Sequence, residues 1–234
     1  MQLTVPTAED ILQAYQRVKP FIHQTPVLTS QAINRMTGAE VFFKCENFQK
    51  VGAFKARGAT NAVRTLPAEL YRGGVATHSS GNHAQALAWA AGLAGISAYI
   101  VMPSNSSKVK VAAVKEYGGK ITFCEPTLEA RESTLEKVIS STGATEIHPY
   151  NNYSIIAGQA TAALELINST ERTDIIMAPV GGGGLLSGTA LSTTYFSPGT
   201  MVIAAEPEQA NDAWKSFTSK TLVPSIKPET IADG

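Results

Sequence analysis

The chain has 234 residues, with 19 basic and 19 acidic side chains, a charged share of 16% and a hydrophobic share of 44%. That is enough apolar content for a full core and too little charge bias for a nucleic-acid surface. No apolar run reaches membrane-spanning length and no charged start leads into an apolar signal segment, so a cytoplasmic protein is expected.

In chain order, the first expected element is a helix over Ala8 to Phe21. The second opens in "GAFKARGA", where Lys55, Ala59, Ala62, Val63 and Leu66 fall at i, i+4, i+7, i+8 and i+11. That spacing is one helix face. Arg57 and Arg64, seven apart, share a different face, as solvated charges would. Lys55 therefore points inward in the first turn, where an ammonium is costly unless it is paired or its pKa falls. A reactive lysine needs such a site.

From Val75 the chain alternates short apolar runs with helical stretches. "GVATHSS" reads as a strand ending in a polar turn, "NHAQALAWAAGLAG" as an Ala-rich helix and "AYIVMP" as a strand stopped by Pro103. "SSKVKVAAVKEYGG" follows as a helix, "KITFCEP" as a strand and "TLEARESTLEKVISSTG" as an amphipathic helix. A second series starts near Ile155 with the helix "IIAGQATAALELIN", the strand "TDIIMAPV", the stretch "GGGGLLSGTALSTTYF" and the strand "TMVIAAEP". This alternation predicts an α/β protein with open, twisted, mainly parallel sheets flanked by helices. Two lobes are expected: a larger one from residues 1–72 and 149–234, and a smaller one, 73–148, inserted in it. Cys45 and Cys124 lie far apart without a CxxC pattern or clustered histidines, which predicts buried free thiols rather than zinc or a disulfide.

Two turns carry chemical signals. "PVGGGGLLSG" runs a buried strand through Gly181, Gly182, Gly183 and Gly184 directly into a helix, leaving backbone N–H groups bare beside a positive helix end. A phosphate would satisfy them, although a mobile glycine hinge has the same composition. The run lacks the GK[ST] of a nucleotide P-loop, and Leu186 stands where GxGxxG needs its last glycine. "THSSGNHAQALA" also leads from strand to helix, and its Ser79, Ser80, Asn82 and His83 could cap that helix, bind a ligand or do both. A phosphate cradle together with an inward lysine suits a phosphorylated aldehyde joined to the amine as a Schiff base, which pyridoxal phosphate provides.

The stretches "FKCENFQKVGAFKARGA", "SSGNHAQA", "AGQATAALE", "PVGGGGLLSG", "AAEPEQANDAW" and "PETIADG" together resemble the serine racemase and serine/threonine dehydratase family of fold-type II pyridoxal phosphate enzymes, whose architecture is like that of the tryptophan synthase β subunit. The resemblance covers almost the whole chain in order. It implies that Lys55 carries the cofactor, that Phe54 lies against its ring, that Asn82 contacts its O3′, and that Gly181 to Gly184 with Leu185 hold its phosphate.

The resemblance also implies a reaction. Racemases of the family have serine at the Ser80 position, where dedicated threonine dehydratases commonly have alanine. Racemisation needs an acid/base group on each face of a planar carbanion, and Lys55 and Ser80 would supply them. Serine racemisation with accompanying dehydration to pyruvate and ammonia is thus expected. Dehydration of L-threonine, L-serine or 3-hydroxyaspartate is the alternative.

Glu206, the carbonyl of Ala210 and Asp212 match a divalent-cation site suited to Mg²⁺ or Ca²⁺, although a solvated acidic loop has the same residues. Ser30, Lys50, Gln85, Lys110 and Tyr117 match positions at which animal racemases bind ATP between subunits, and a homodimer is implied. Two departures stand out. Tyr150, in "HPYNNY", replaces an asparagine of the animal racemases and is familiar from dehydratases. The chain also stops at Gly234, before the stretch that completes the large lobe and carries an "SGGN" type serine. The expectation is a fragment or a truncated paralogue, and a catalytically weak cofactor-binding protein is a further alternative.

Overall fold

The computed structural model describes residues 4–225 and 230–231. Apart from Thr230 and Ile231, the expected family stretch "PETIADG" lies outside the described residues. Helix α1 (Ala8–Val18) starts in a reciprocal cap: Thr7 Oγ1 accepts from the Asp10 N–H at 3.2 Å, and the Asp10 carboxylate accepts from the Thr7 N–H at 2.8 Å. It ends at Val18 rather than at Phe21: Lys19 still has helical backbone, but Pro20 has no N–H with which to continue the ladder.

Next comes a module that the apolar pattern does not reveal. Strands β1 (Val27–Thr29) and β2 (Phe42–Lys44) pair antiparallel, with helix α2 (Gln31–Thr37) between them. The lysine helix α3 (Lys55–Arg64) follows two short 3₁₀ turns. Arg57, expected in solvent, is wholly buried, because it pairs with the carboxylates of Glu46 and Glu165.

Strands β3 (Val75–His78), β4 (Ala98–Pro103), β5 (Lys120–Cys124) and β6 (Thr145–Glu146) form one parallel sheet in the order β5-β4-β3-β6. Val75 pairs with Ala98 on one side and with Thr145 on the other. Helices α4 (Asn82–Ala94), α5 (Lys108–Glu116) and α6 (Leu128–Thr142) connect these strands. The main core packs Ala84, Leu87 and Ala91 of α4 against Val75, Ile100 and Met102 of the sheet, and against Ala59, Ala62 and Val63 of α3. Ala76 and Val101 alternate with those residues along their strands and pack with Leu135 and Ala144 in a second cluster, as a sheet buried on both faces requires. Hence α3, from the expected larger lobe, shares one core with α4, from the smaller.

Helix α7 (Tyr153–Ser169), strand β7 (Ile175–Pro179), helix α8 (Gly184–Phe196) and strand β8 (Met201–Ala205) follow, and β7 and β8 pair in parallel. Helix α9 (Asp212–Ser219) is the last described element of regular structure. Helices α3 and α7 approach so closely that a Cβ on Gly158 would stand 2.6 Å from Gly58 Cα, and one on Gly58 would stand 2.9 Å from the Ile155 carbonyl oxygen. Cys45 and Cys124 are free thiols as expected, but half-buried rather than buried.

Candidate active site

Lys55 is the first residue of α3, and its inward direction is as expected. The backbone ahead of it is unusual: Val51 has φ 55° and Gly52 has φ 67°, two successive residues in the left-handed region. A β-branched residue is strained there, and such strain clusters at functional sites. The chain then turns through Phe54 into the helix, leaving the Lys55 amine 5.2 Å from the centre of the Phe54 ring. The amine donates to the Pro149 carbonyl oxygen at 2.9 Å. Burial lowers its pKa to about 8, which raises the share of unprotonated amine near neutral pH well above that of a free lysine.

Segment 147–150, which follows β6, joins Lys55 to the two turns singled out in the sequence. The Ile147 carbonyl meets His83 Nε2 at 3.1 Å, and the Pro149 carbonyl holds Lys55. The His148 ring meets Tyr150 edge-on at 4.5 Å between centroids and His78, at the end of β3, at 6.3 Å. Tyr150 in turn lies on the glycine turn: a Cβ on Gly182 would collide with its ring, and one on Gly184 would stand 3.1 Å from its Cβ. Gly182 is thus required by a neighbouring side chain, and Gly183, with φ 86°, by the backbone.

The glycine turn lies between the end of β7 and the start of α8, and among the described residues no side chain caps that helix. Such a helix start, with Gly181 to Gly184 leading into it and Leu185 in its first turn, has the chemistry that suits an anion such as a phosphate. The turn before α4 is similarly uncapped. Gly81 is the N-cap residue and among the described residues no side chain bonds to the helix start, so Ser80, half-buried, is not consumed as a cap. Asn82 is exposed at the first position of α4. His83 is buried, and that burial, assisted by the Lys55 charge, pushes its pKa down to about 3. It is a neutral imidazole whose Nε2 must carry the proton, because a carbonyl can only accept.

The other expected residues are divided. Glu206 accepts from the backbone N–H groups of Ala213 at 3.1 Å and Trp214 at 2.8 Å, so it caps α9. Asp212 is the first residue of that helix and Ala210 ends the preceding 3₁₀ turn, which brings the three proposed cation ligands to one helix end. Among the described residues no group of three or more His, Cys, Asp or Glu side chains is placed to hold a metal. The turn carrying Lys50 packs on α4, which carries Gln85, and so does α5, which carries Lys110 and is closed by Tyr117. Ser30 caps α2, its hydroxyl accepting from the Ile33 N–H at 3.4 Å.

Pattern reading missed the buried charges beneath the lysine. Arg57 makes ion pairs with Glu46 and Glu165, and Lys44 pairs with Glu165 at 2.6 Å. The available signal was Glu165, the one charged residue in "IIAGQATAALELIN".

With a buried low-pKa lysine joined through Pro149 and Tyr150 to a phosphate-suited glycine turn, the residues fit pyridoxal phosphate, and a comparison with family models decides the class. Residues 18–234 match the family described as pyridoxal-phosphate dependent enzyme. The chain belongs to that family. Among curated relatives, a β-hydroxyaspartate dehydratase from Paracoccus denitrificans is 51% identical over 230 residues, covering 98% of this chain and 73% of that protein. A serine racemase from Arabidopsis thaliana is 50% identical over 230 residues, covering 97% of this chain and 70% of that protein. The crystal structure of serine racemase from Dictyostelium discoideum superposes with a TM-score of 0.90 at 47% identity, covering 94% of this chain and 71% of that one. The fold is that of the fold-type II pyridoxal phosphate enzymes, as expected, and the protein is an enzyme of that class. No helix among the described residues is long and apolar enough to cross a membrane.

Proposed function

We propose that this enzyme interconverts L- and D-serine and also eliminates the β-hydroxyl of serine, giving pyruvate and ammonia. The observation that carries the reading is the junction at Pro149 and Tyr150, which joins a buried, low-pKa lysine to an uncapped glycine turn. When bound, pyridoxal phosphate supplies the electron sink that makes the amino-acid α-proton removable. Lys55 would hold the cofactor aldehyde, Phe54 its ring face, Asn82 its O3′, and Gly181 to Gly184 with Leu185 its phosphate. The Lys55 amine would take the α-proton on one face. Ser80 Oγ, which no helix start claims, returns a proton on the other. The likeness to serine racemases of about half-identical sequence supports the substrate class.

Loss of water from 3-hydroxyaspartate is the second reading. It is favoured by Tyr150 and by the likeness to the Paracoccus dehydratase. The same proposal includes Mg²⁺ or Ca²⁺ at Glu206, the Ala210 carbonyl and Asp212, supported by their convergence on the start of α9. It includes ATP at Ser30, Lys50, Gln85, Lys110 and Tyr117, a homodimer, and a cytoplasmic location. It also includes division into residues 1–72 with 149–234 and an inserted lobe of 73–148, supported by the four-stranded sheet that residues 75–146 form by themselves.

Chiral analysis of the products from L-serine tests the main reading. D-serine together with pyruvate is expected. Pyruvate alone, with oxaloacetate formed from 3-hydroxyaspartate, would shift the assignment to the dehydratase.

A further inference from the structure

The Arg57 guanidinium has no solvent exposure, and all five of its N–H groups face acceptors. Nε and one NH₂ group donate to the two oxygens of Glu46 at 2.7 and 2.8 Å. The two NH₂ groups donate to the two oxygens of Glu165 at 2.9 and 2.8 Å, and one of them also meets Thr161 Oγ1 at 3.2 Å. Lys44 Nζ donates to Glu165 at 2.6 Å and to the Thr25 carbonyl at 2.8 Å, while the Thr25 hydroxyl donates to Glu46 at 2.6 Å. Two cations thus face two carboxylates, so the cluster is neutral and exerts little field at a distance.

Taking four charges out of water is expensive, and apolar residues of similar size would hold the same helices together at less cost. A double fork supplies what an apolar contact lacks: fixed geometry, because a planar guanidinium between two carboxylates cannot slide. The cluster fixes the first turn of α3 against the middle of α7. Next to it Gly58 and Gly158 bring the two backbones into contact, and Gln159 Oε1 accepts from the Gly58 N–H at 3.2 Å. Lys55 lies in the same turn as Arg57, two residues earlier, and its amine reaches Pro149, just ahead of α7. How α3 lies on α7 therefore determines how deep the amine sits.

We propose that Arg57 and Glu165 are positioning residues that set the depth and direction of the Lys55 amine. The proposal rests on the reading of Lys55 as the cofactor lysine. Loosening the fork lets α3 lift from α7, which admits water to the amine and relieves the burial that holds it near 8. The titratable groups that feel the Lys55 charge are His83 from α4 and His148 from the segment after β6. Burial holds both below the ordinary imidazole value, so neither changes charge in the alkaline window where the amine titrates.

The test is competitive acetylation of the cofactor-free chain across pH, read at Lys55 by mass spectrometry with the other lysines as internal references. Arg57→Lys keeps the charge and loses the fork, whereas Glu165→Gln keeps the shape and loses the charge. In folded protein, verified by near-ultraviolet circular dichroism, the Lys55 midpoint should rise by about one unit or more in both variants, a roughly tenfold loss of reactive amine near neutral pH. A wild-type midpoint in either folded variant overturns the proposal. So does failure of both to fold, which would make the cluster a folding determinant only. The cofactor reading fails separately, if wild-type protein treated with pyridoxal phosphate and borohydride carries no adduct on Lys55.

Discussion

The amine of Lys55 and the carbonyl oxygen of Pro149 stand 2.9 Å apart, yet the hydrogen bond does not keep the amine at its ordinary pKa. Burial prevails and lowers it from 10.5 to about 8. Between those values the unfolded chain binds a proton that the folded chain has released. Stability contributed by this group should therefore rise with pH from about 8 to about 10.5 and be level below, with a span of ~3 kcal/mol at most. Urea denaturation of wild type and Lys55→Met across this range isolates the effect. The variant should lack one proton's worth of slope, and parallel profiles would contradict the buried amine.

Ser80→Ala should separate the two reactions. Elimination from L-serine needs a base on the lysine face only, so pyruvate formation persists, while conversion of L- to D-serine falls by about 10²- to 10⁴-fold. Deamination of D-serine falls with it, because that α-proton faces Ser80. Since no side chain caps α4, the melting temperature should hold within the range of a neutral surface change. An unchanged ratio of racemisation to elimination would remove Ser80 from the mechanism.

Gly58→Ala and Gly158→Ala should each destabilise the protein by about 1–3 kcal/mol or more, because the new methyl meets backbone that cannot move aside. Gly143→Ala is an informative contrast. Nothing lies within 4 Å of a Cβ there, but its φ of 69° imposes backbone strain alone. Thermal melts of the three variants rank the terms. A Gly158→Ala protein as stable as wild type would mean that α3 and α7 are not in contact.

At the start of α9, Glu206 and Asp212 should have separable roles. Ca²⁺ or Mg²⁺ should raise the melting temperature of wild type through linkage and leave that of Asp212→Ala unmoved. Glu206→Gln should lower stability by ~1 kcal/mol even without metal, because it weakens the acceptor for the Ala213 and Trp214 N–H groups. Wild-type protein indifferent to both ions would leave Glu206 as a helix cap alone.

The strand and helix alternation of residues 75–142 is legible in the sequence because each apolar run is long enough to show its period and is closed by glycine or proline. The three-residue strands β1 and β2 and the two-residue β6 are not, since so few residues display no period. Lys55 is legible because it interrupts an apolar face. Arg57 is misread for a related reason: its seven-residue spacing from Arg64 describes one helix, whereas its carboxylate partners come from a 3₁₀ turn before α3 and from α7. Helical spacing shows which residues share a face and is silent on what another part of the chain presents to it. Gly182 is similar: the glycine run advertises a turn, but the Tyr150 ring that forbids a side chain there comes from a different segment.

The pairing of Val75 with Thr145 also has a consequence for how the enzyme is made. Strand β6 joins β3 only after β4, β5 and three helices have intervened, so this edge of the sheet closes through one of the chain's long-range contacts. Such closures are slow steps, because the chain loses loop entropy before the contact returns any stability. Residues 147–150 emerge directly from β6 and supply the carbonyl for Lys55 and the ring for the glycine turn. The reactive amine therefore acquires its buried setting only once residues 147–150, which follow β6 in the chain, are in place beside α3.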